Sequence, residues 1–192
     1  MIEDLEELFP DHLLDEPFQD NDDYLTYEIK RVCRRIKYYI RAKKTKGYSR
    51  FETLAKREFS DFNFFIKSRL DASENKFFSY EYISKLFNLS ILEKFCLMMG
   101  VLIKTDDRYK DMLQNIEGEK TINYSLAIKI YYFVENISDI DHFYSIQNEL
   151  QEKMNSLFFN GNLCNLDNYI FEIITKNSKL ISNKNSGIII KT

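Results

Sequence analysis

The chain has 192 residues, 44% apolar and 30% charged, with a net charge of −3. That is long enough to bury a real core, and the composition argues against a fibrous or wholly disordered chain. Three cysteines without a CxxC pair argue against a disulfide framework and a zinc site, and no apolar run approaches the roughly 18 residues of a membrane span.

Glycine (5) and proline (2) are scarce, while phenylalanine (16) and tyrosine (13) are abundant. Few breakers and many aromatics favour long helices around an aromatic-rich core. The first residues, "MIEDLEELFPDH", offer neither a basic n-region nor an apolar h-region, so they are no signal peptide and a cytoplasmic location is expected. Cys33 and Cys96 fall at apolar helical positions and are expected as buried thiols; Cys164 stands apart.

Charge is segregated along the chain. Residues 1–23 hold ten acidic side chains, no Lys or Arg and both prolines, and are expected to form an acidic, disordered arm unless docked. Residues 24–57 hold twelve basic side chains against Glu28 and Glu52. Within them, Leu25, Ile29, Val32, Ile36 and Ile40 recur at helical spacing and predict one apolar stripe. Arg31, Arg34, Arg35, Lys37 and Arg41 lie mostly off that stripe, and with Lys43 and Lys44 they form the candidate interaction surface. Gly47 ends or interrupts this helix, a second helical stretch follows, and "DASEN" (71–75) reads as a loop. The span 24–76 is thus an amphipathic basic helix with a helical connector.

A second module is expected over 77–178. Ser79 is a candidate cap for a short helix carrying Ile83, Leu86 and Phe87. Ser90 and Glu93 make a capping box before an apolar helix with Leu92, Phe95, Cys96 and Met99. Asp106 and Asp107 open the next helix, which carries Tyr109, Met112, Leu113 and Ile116. Asn123 caps a further helix, Ser138 and Asp141 repeat the pattern, and Asn165 is a candidate cap for the last one. Between the last two helices, Asn160-Gly161 predicts a type I′ β-hairpin over 156–164. Helices followed by a hairpin give a mainly α fold, a helical bundle with a winged-helix-like module containing one small β-hairpin. Residues 179–192 read as a linker or the start of a further module.

Chemistry is sparse. A phosphate cradle of the form G-x-x-x-x-G-K-[ST] needs a second glycine five residues after the first. After the five glycines come Glu52, Thr105, Asn123, Leu166 and Thr192, so there is no such loop. Two histidines, His12 and His142, leave little for metal or acid–base work; Asp139, Asp141 and His142 suit surface and capping roles better than a metal site. No catalytic, cofactor-binding or metal-ligating residue is expected. The basic helix, with Tyr38, Tyr39 and Tyr48 interleaved, could bind nucleic acid by phosphate neutralisation and stacking, or could simply be a solvated face. The acidic chain and the cation-poor helix "YSLAIKIYYFVEN" weigh against nucleic acid.

The stretch "ISKLFNLSILEKFCLMMGVLIKTDDRYKDMLQNIEGEKTINYSLAIKIYYF" resembles the N-terminal winged-helix region of AAA+ ATPases encoded with contractile injection systems and phage-tail-like particles. Phe87, Leu89, Ser90 and Glu93 match that family's "F-x-L-S-x-F-E-x". Asp107, Arg108 and Tyr109 match its "D-x-R-Y", and Thr121, Leu126, Ala127 and Ile130 its third segment. The sequence departs at Ile91 and Leu92, where the family favours aromatics nearby, and at Glu119-Lys120, where the family has Arg-Arg-Pro. The resemblance implies a non-catalytic N-terminal domain that recruits or positions protein substrates or adaptors for assembly, remodelling or recycling of a contractile particle. It implies an ATPase module beyond residue 192 that would use ATP and Mg, and no cofactor in these residues. Expected partners are a protein of the particle and that ATPase module, with no membrane and the isolated chain a monomer. The alternative is a small nucleic-acid-binding regulator from a phage or mobile element, using Arg31, Arg34, Arg35, Lys37, Lys43 and Lys44.

Overall fold

Leu25, Ile29, Val32, Ile36 and Ile40 do form one buried stripe, on helix α1 (Asn21–Thr45). Asp22 and Asp23 in its first turn and Lys43 and Lys44 in its last complement the helix dipole. The structure is a computed structural model, and it describes residues 13–45, 48–118, 121–133 and 140–175. Those residues form eight α-helices: α1, α2 (Tyr48–Ala72), α3 (Ser79–Leu86), α4 (Ile91–Thr105), α5 (Asp107–Glu117), α6 (Tyr124–Tyr132), α7 (Ile140–Leu157) and α8 (Asn168–Ile174).

Helices α1 and α2 form an antiparallel hairpin. Going up α1, Asp23, Tyr27, Arg31, Arg34 and Tyr38 meet Arg69, Phe65, Asn63, Glu58 and Phe51, going down α2. Helix α1 also packs on α4 and α6, so it is buried on more than its apolar stripe. Helix α4 is buried without a break from Phe95 to Ile103, as befits a helix apolar on all sides. The Phe95 ring meets Phe59 of α2 edge-on and lies tilted against Tyr131 of α6. The apolar core therefore runs from α1 through α4 and α6 with no break at the expected 76/77 boundary.

Local capping follows the sequence in part. Ser90 and Glu93 complete the capping box of α4, and Asn123 accepts the Leu126 amide at the start of α6. Asp106 caps α5, accepting the Arg108 amide and pairing with the Arg108 guanidinium at 2.6 Å. Ser79 is not a cap: it lies inside α3, and its amide donates to the Asn21 side chain at 3.0 Å. Asp167, not Asn165, caps α8. Ser138 lies outside the described residues, as do Gly47 and residues 179–192, and nothing is described of the Asp141 side chain.

The arm expected over 1–23 is packed from Leu13 onward. Phe18 is fully buried beneath the Arg69 guanidinium, 4.1 Å from its ring centre, and its amide donates to Ser73 Oγ. Arg69 also donates to the Glu16 and Pro17 carbonyls.

The hairpin expected over 156–164 does not form; among the described residues there is no strand pair, only an isolated antiparallel bridge between Phe159 and Leu166. Helix α7 extends to Leu157 and takes up the first half of the expected strand. A strand would send the adjacent Phe158 and Phe159 to opposite faces, whereas both are buried. Of the Asn160-Gly161 pair only Gly161 has positive φ, at 86°, so the type I′ geometry is absent. Leu163 turns into the core and its amide donates to the Ile122 carbonyl. The described fold is a helical bundle; no wing is seen in it.

Candidate interaction cleft

The expected basic surface is divided by the fold. Arg31 and Arg35 are buried, and Arg34 is largely so, which removes all three from an exposed face. Arg31 pairs with Glu28 at 2.5 Å and donates to Asn63 of α2 at 2.7 Å. Arg34 pairs with Glu58 at 2.5 Å. Arg35 donates to the carbonyls of Ala55, Ile130 and Tyr131, between the rings of Phe59 and Phe133. Two of those carbonyls end α6, where backbone acceptors lack an intrahelical partner. Burial pulls Arg35 down to about 10, which still leaves it charged at neutral pH. Lys37 and Lys43 are half-buried, and Arg41 and Lys44 are exposed. Lys43 and Lys44 border a shallow cleft against α5, floored by Ile40, Met112 and Ile116.

A second cleft, about 660 Å³, opens between α2, α3 and the start of α4. A continuous polar chain runs along its floor. Asn63 accepts from Arg31; Arg31 pairs with Glu28; Tyr24 Oη donates to Glu28 at 3.1 Å and lies 3.4 Å from Glu81; Glu81 pairs with Lys94 at 3.2 Å and Lys85 at 3.7 Å. Burial, then the negative charge of Glu28, raises the Tyr24 phenol well above its ordinary range, so it serves as a donor and not as a base. The chain links four helices, and its members bind one another.

Large apolar side chains stand exposed around this floor. Phe77 is 66% exposed, Tyr82 51% and Ile91 56%, and all three line the cleft. Phe77 and Tyr82 pair with ring centres 5.3 Å apart. Leu86, carried by the same short helix, is 60% exposed one turn beyond Tyr82. Sequence reasoning placed none of these in a site. The available signal was the phase of α3: Tyr80, Ile83 and Ser84 form its buried face, while Tyr82 and Leu86, four apart, form a second apolar row.

Among the described residues, no group of three or more His, Cys, Asp or Glu side chains is placed to hold a metal ion. Asp139 lies outside the described residues. No described helix is long and apolar enough to cross a membrane. No protein-family model matches the chain, and neither a curated protein nor a solved structure matches it.

Proposed function

We propose that the chain is a non-catalytic domain that recruits a protein partner through the α2–α3–α4 cleft. The observation that carries this is the cluster of Phe77, Tyr82 and Ile91, exposed around one cleft while the core holds most other large apolar side chains. Clustered exposed apolar groups with charged neighbours are how protein-binding surfaces are built. The resemblance in 83–133 names the setting: the N-terminal domain of an AAA+ ATPase that assembles, remodels or recycles a contractile injection particle. The ATP and Mg chemistry would belong to a module beyond these residues. The nucleic-acid alternative is weakened, because three of its six cations, Arg31, Arg34 and Arg35, are spent on internal partners.

The test is co-sedimentation of the purified chain with the purified contractile particle encoded beside its gene. Wild-type chain pellets with the particle, and the Phe77→Ser/Tyr82→Ser variant stays in the supernatant. A chain that never pellets, or a variant that pellets as well as wild type, overturns the reading. So does a gene whose downstream codons lack G-x-x-x-x-G-K-[ST].

A further inference from the structure

We infer that Asn160 is a site of spontaneous covalent modification, at which the Gly161 amide closes on the Asn160 side chain and leaves aspartate and isoaspartate in the turn after α7. The inference is independent of the recruitment reading, because this turn contributes nothing to the lining of the α2–α3–α4 cleft.

Sequence and geometry coincide here. Asparagine is among the chemically labile residues, and Asn160-Gly161 is the chain's one Asn-Gly pair. Both residues are exposed. Among the described residues, none hydrogen-bonds the Asn160 side chain or the Gly161 amide, so electrophile and nucleophile are both unengaged. Glycine carries no Cβ to obstruct attack by its own nitrogen. A Cβ built at Gly161 would meet nothing within 4 Å, so the turn also has open space for a five-membered ring and for water. Attack requires the Asn160–Gly161 peptide to turn. The Asn160 carbonyl is tied to the Asn165 side-chain amide at 3.0 Å, but Asn165 is exposed, so this bond is readily exchanged for one to water.

The reaction balances with water alone. Solvent hydroxide takes the Gly161 amide proton, the nitrogen bonds to Asn160 Cγ, and the Cγ–Nδ2 bond breaks. Ammonia leaves with a proton from water, which restores the hydroxide and leaves a succinimide ring. Water then opens the ring at either carbonyl. Breaking the N–Cγ bond restores the ordinary main chain with aspartate at 160. Breaking the bond from that nitrogen to the original main-chain carbonyl carbon leaves isoaspartate, whose main chain runs through Cβ and Cγ and is one atom longer. Either product exchanges an amide for a carboxylate and adds one negative charge, and nothing is oxidised or reduced.

Neighbouring asparagines lack this combination. Asn155 lies inside α7 and accepts the Tyr124 hydroxyl at 2.7 Å. Asn162 accepts the Cys164 amide at 2.9 Å, and the amide that follows it, of Leu163, donates to the Ile122 carbonyl. Asn165 donates to the Asn160 carbonyl. Asn168 accepts from Lys104 Nζ, and the next amide, of Tyr169, donates to Asp167. Each of the four is followed by a residue with a Cβ. Freeing such bonds raises the barrier by enough to slow ring closure at least about tenfold.

The full chain is kept folded at neutral pH for several weeks, digested with trypsin and read by tandem mass spectrometry with electron-transfer fragmentation, which tells isoaspartate from aspartate. An unaged sample digested alongside sets the baseline. Trypsin leaves residues 154–176 as one peptide, so Asn160 and its four neighbours are compared within one molecule. Asn160 should convert at least about tenfold faster than any of the four. An isoaspartyl methyltransferase supplied with S-adenosylmethionine should methylate this peptide from aged wild type and not from aged Asn160→Gln, whose longer side chain cannot close the five-membered ring. Conversion of Asn155, Asn162, Asn165 or Asn168 as fast as that of Asn160 overturns the inference, and so does equal methylation of the Asn160→Gln peptide. An Asn160 that converts in urea but stays intact in the folded chain overturns it as well, because the turn would then protect the residue.

Discussion

Gly100 sits in the middle of α4, where alanine would ordinarily be the better residue by about 1 kcal/mol. A Cβ added there would lie 2.4 and 2.6 Å from two ring carbons of Phe159, where ordinary contact begins near 3.4 Å. The ring would have to withdraw by about 1 Å, into a close-packed interior. It has little room: Phe159 is buried, its ring meets Tyr124 edge-on at 6.2 Å, and its backbone is bridged to Leu166. Overpacking of this kind costs about 1–3 kcal/mol, and the rigid surroundings put Gly100→Ala near the upper end. Net of the gain in helix propensity, the loss is about 2 kcal/mol. That corresponds to a fall of about 4–8 °C in Tm for a chain of this size. Urea unfolding followed by circular dichroism measures it as a lower midpoint at unchanged slope. Phe159→Leu should then relieve the clash, so that the double variant is more stable than the sum of the single losses by about 1–2 kcal/mol. A Gly100→Ala protein as stable as wild type, or more so, would show that propensity wins and that the loop after α7 is not seated against α4.

Three further outcomes follow from the geometry. Arg35→Met should lower stability by about 2–4 kcal/mol in the same assay, because the Ile130 and Tyr131 carbonyls lose their donor; Arg35→Lys should recover only part, having no planar fork to reach several carbonyls at once. Asp106 is held below the usual carboxylate range by the Arg108 side chain, with the Arg108 amide adding to this and burial opposing it. Its contribution is therefore complete above the unfolded pKa near 4 and lost as pH falls through the lower folded value, so wild-type stability declines with acid across that window. Asp106→Asn keeps a cap but flattens that decline, whereas Asp106→Ala costs about 1 kcal/mol at neutral pH. A thiol-reactive dye should label Cys164 in the native protein, while Cys33, pushed up to about 11 by burial, and fully buried Cys96 should react only on unfolding.

What the sequence made legible was whatever depends on near neighbours. The α1 stripe, the Ser90–Glu93 box and the Asn123 cap each involve residues within a few turns of one another, and all are present. The misses involve distant partners. Ser79 reads as a cap, yet the α3 amide finds Asn21, 58 residues away. Asn160-Gly161 carries a local hairpin signal, but burial of both Phe158 and Phe159 outweighs it. The candidate site failed for the same reason. Arg31, Arg34 and Arg35 look solvated until Asn63, Glu58 and the end of α6 are brought against them, contacts 20 to 96 residues apart. Phe77 and Ile91 are apolar, and nothing in their local sequence marks them as the exposed ones.

The placement of α1 explains why a cation-rich helix can be a core element. Each buried cation on it has a specific acceptor on a neighbouring helix: Arg34 on α2 through Glu58, Arg31 on α2 through Asn63, and Arg35 on α2 through the Ala55 carbonyl and on α6 through two terminal carbonyls. Glu28 and Tyr24 extend the same linkage to Glu81 of α3. A purely apolar α1 would bury area as well, but apolar contact is non-directional and tolerates sliding. Directional donors in a low-dielectric interior penalise any other register, since each displaced partner is left unsatisfied.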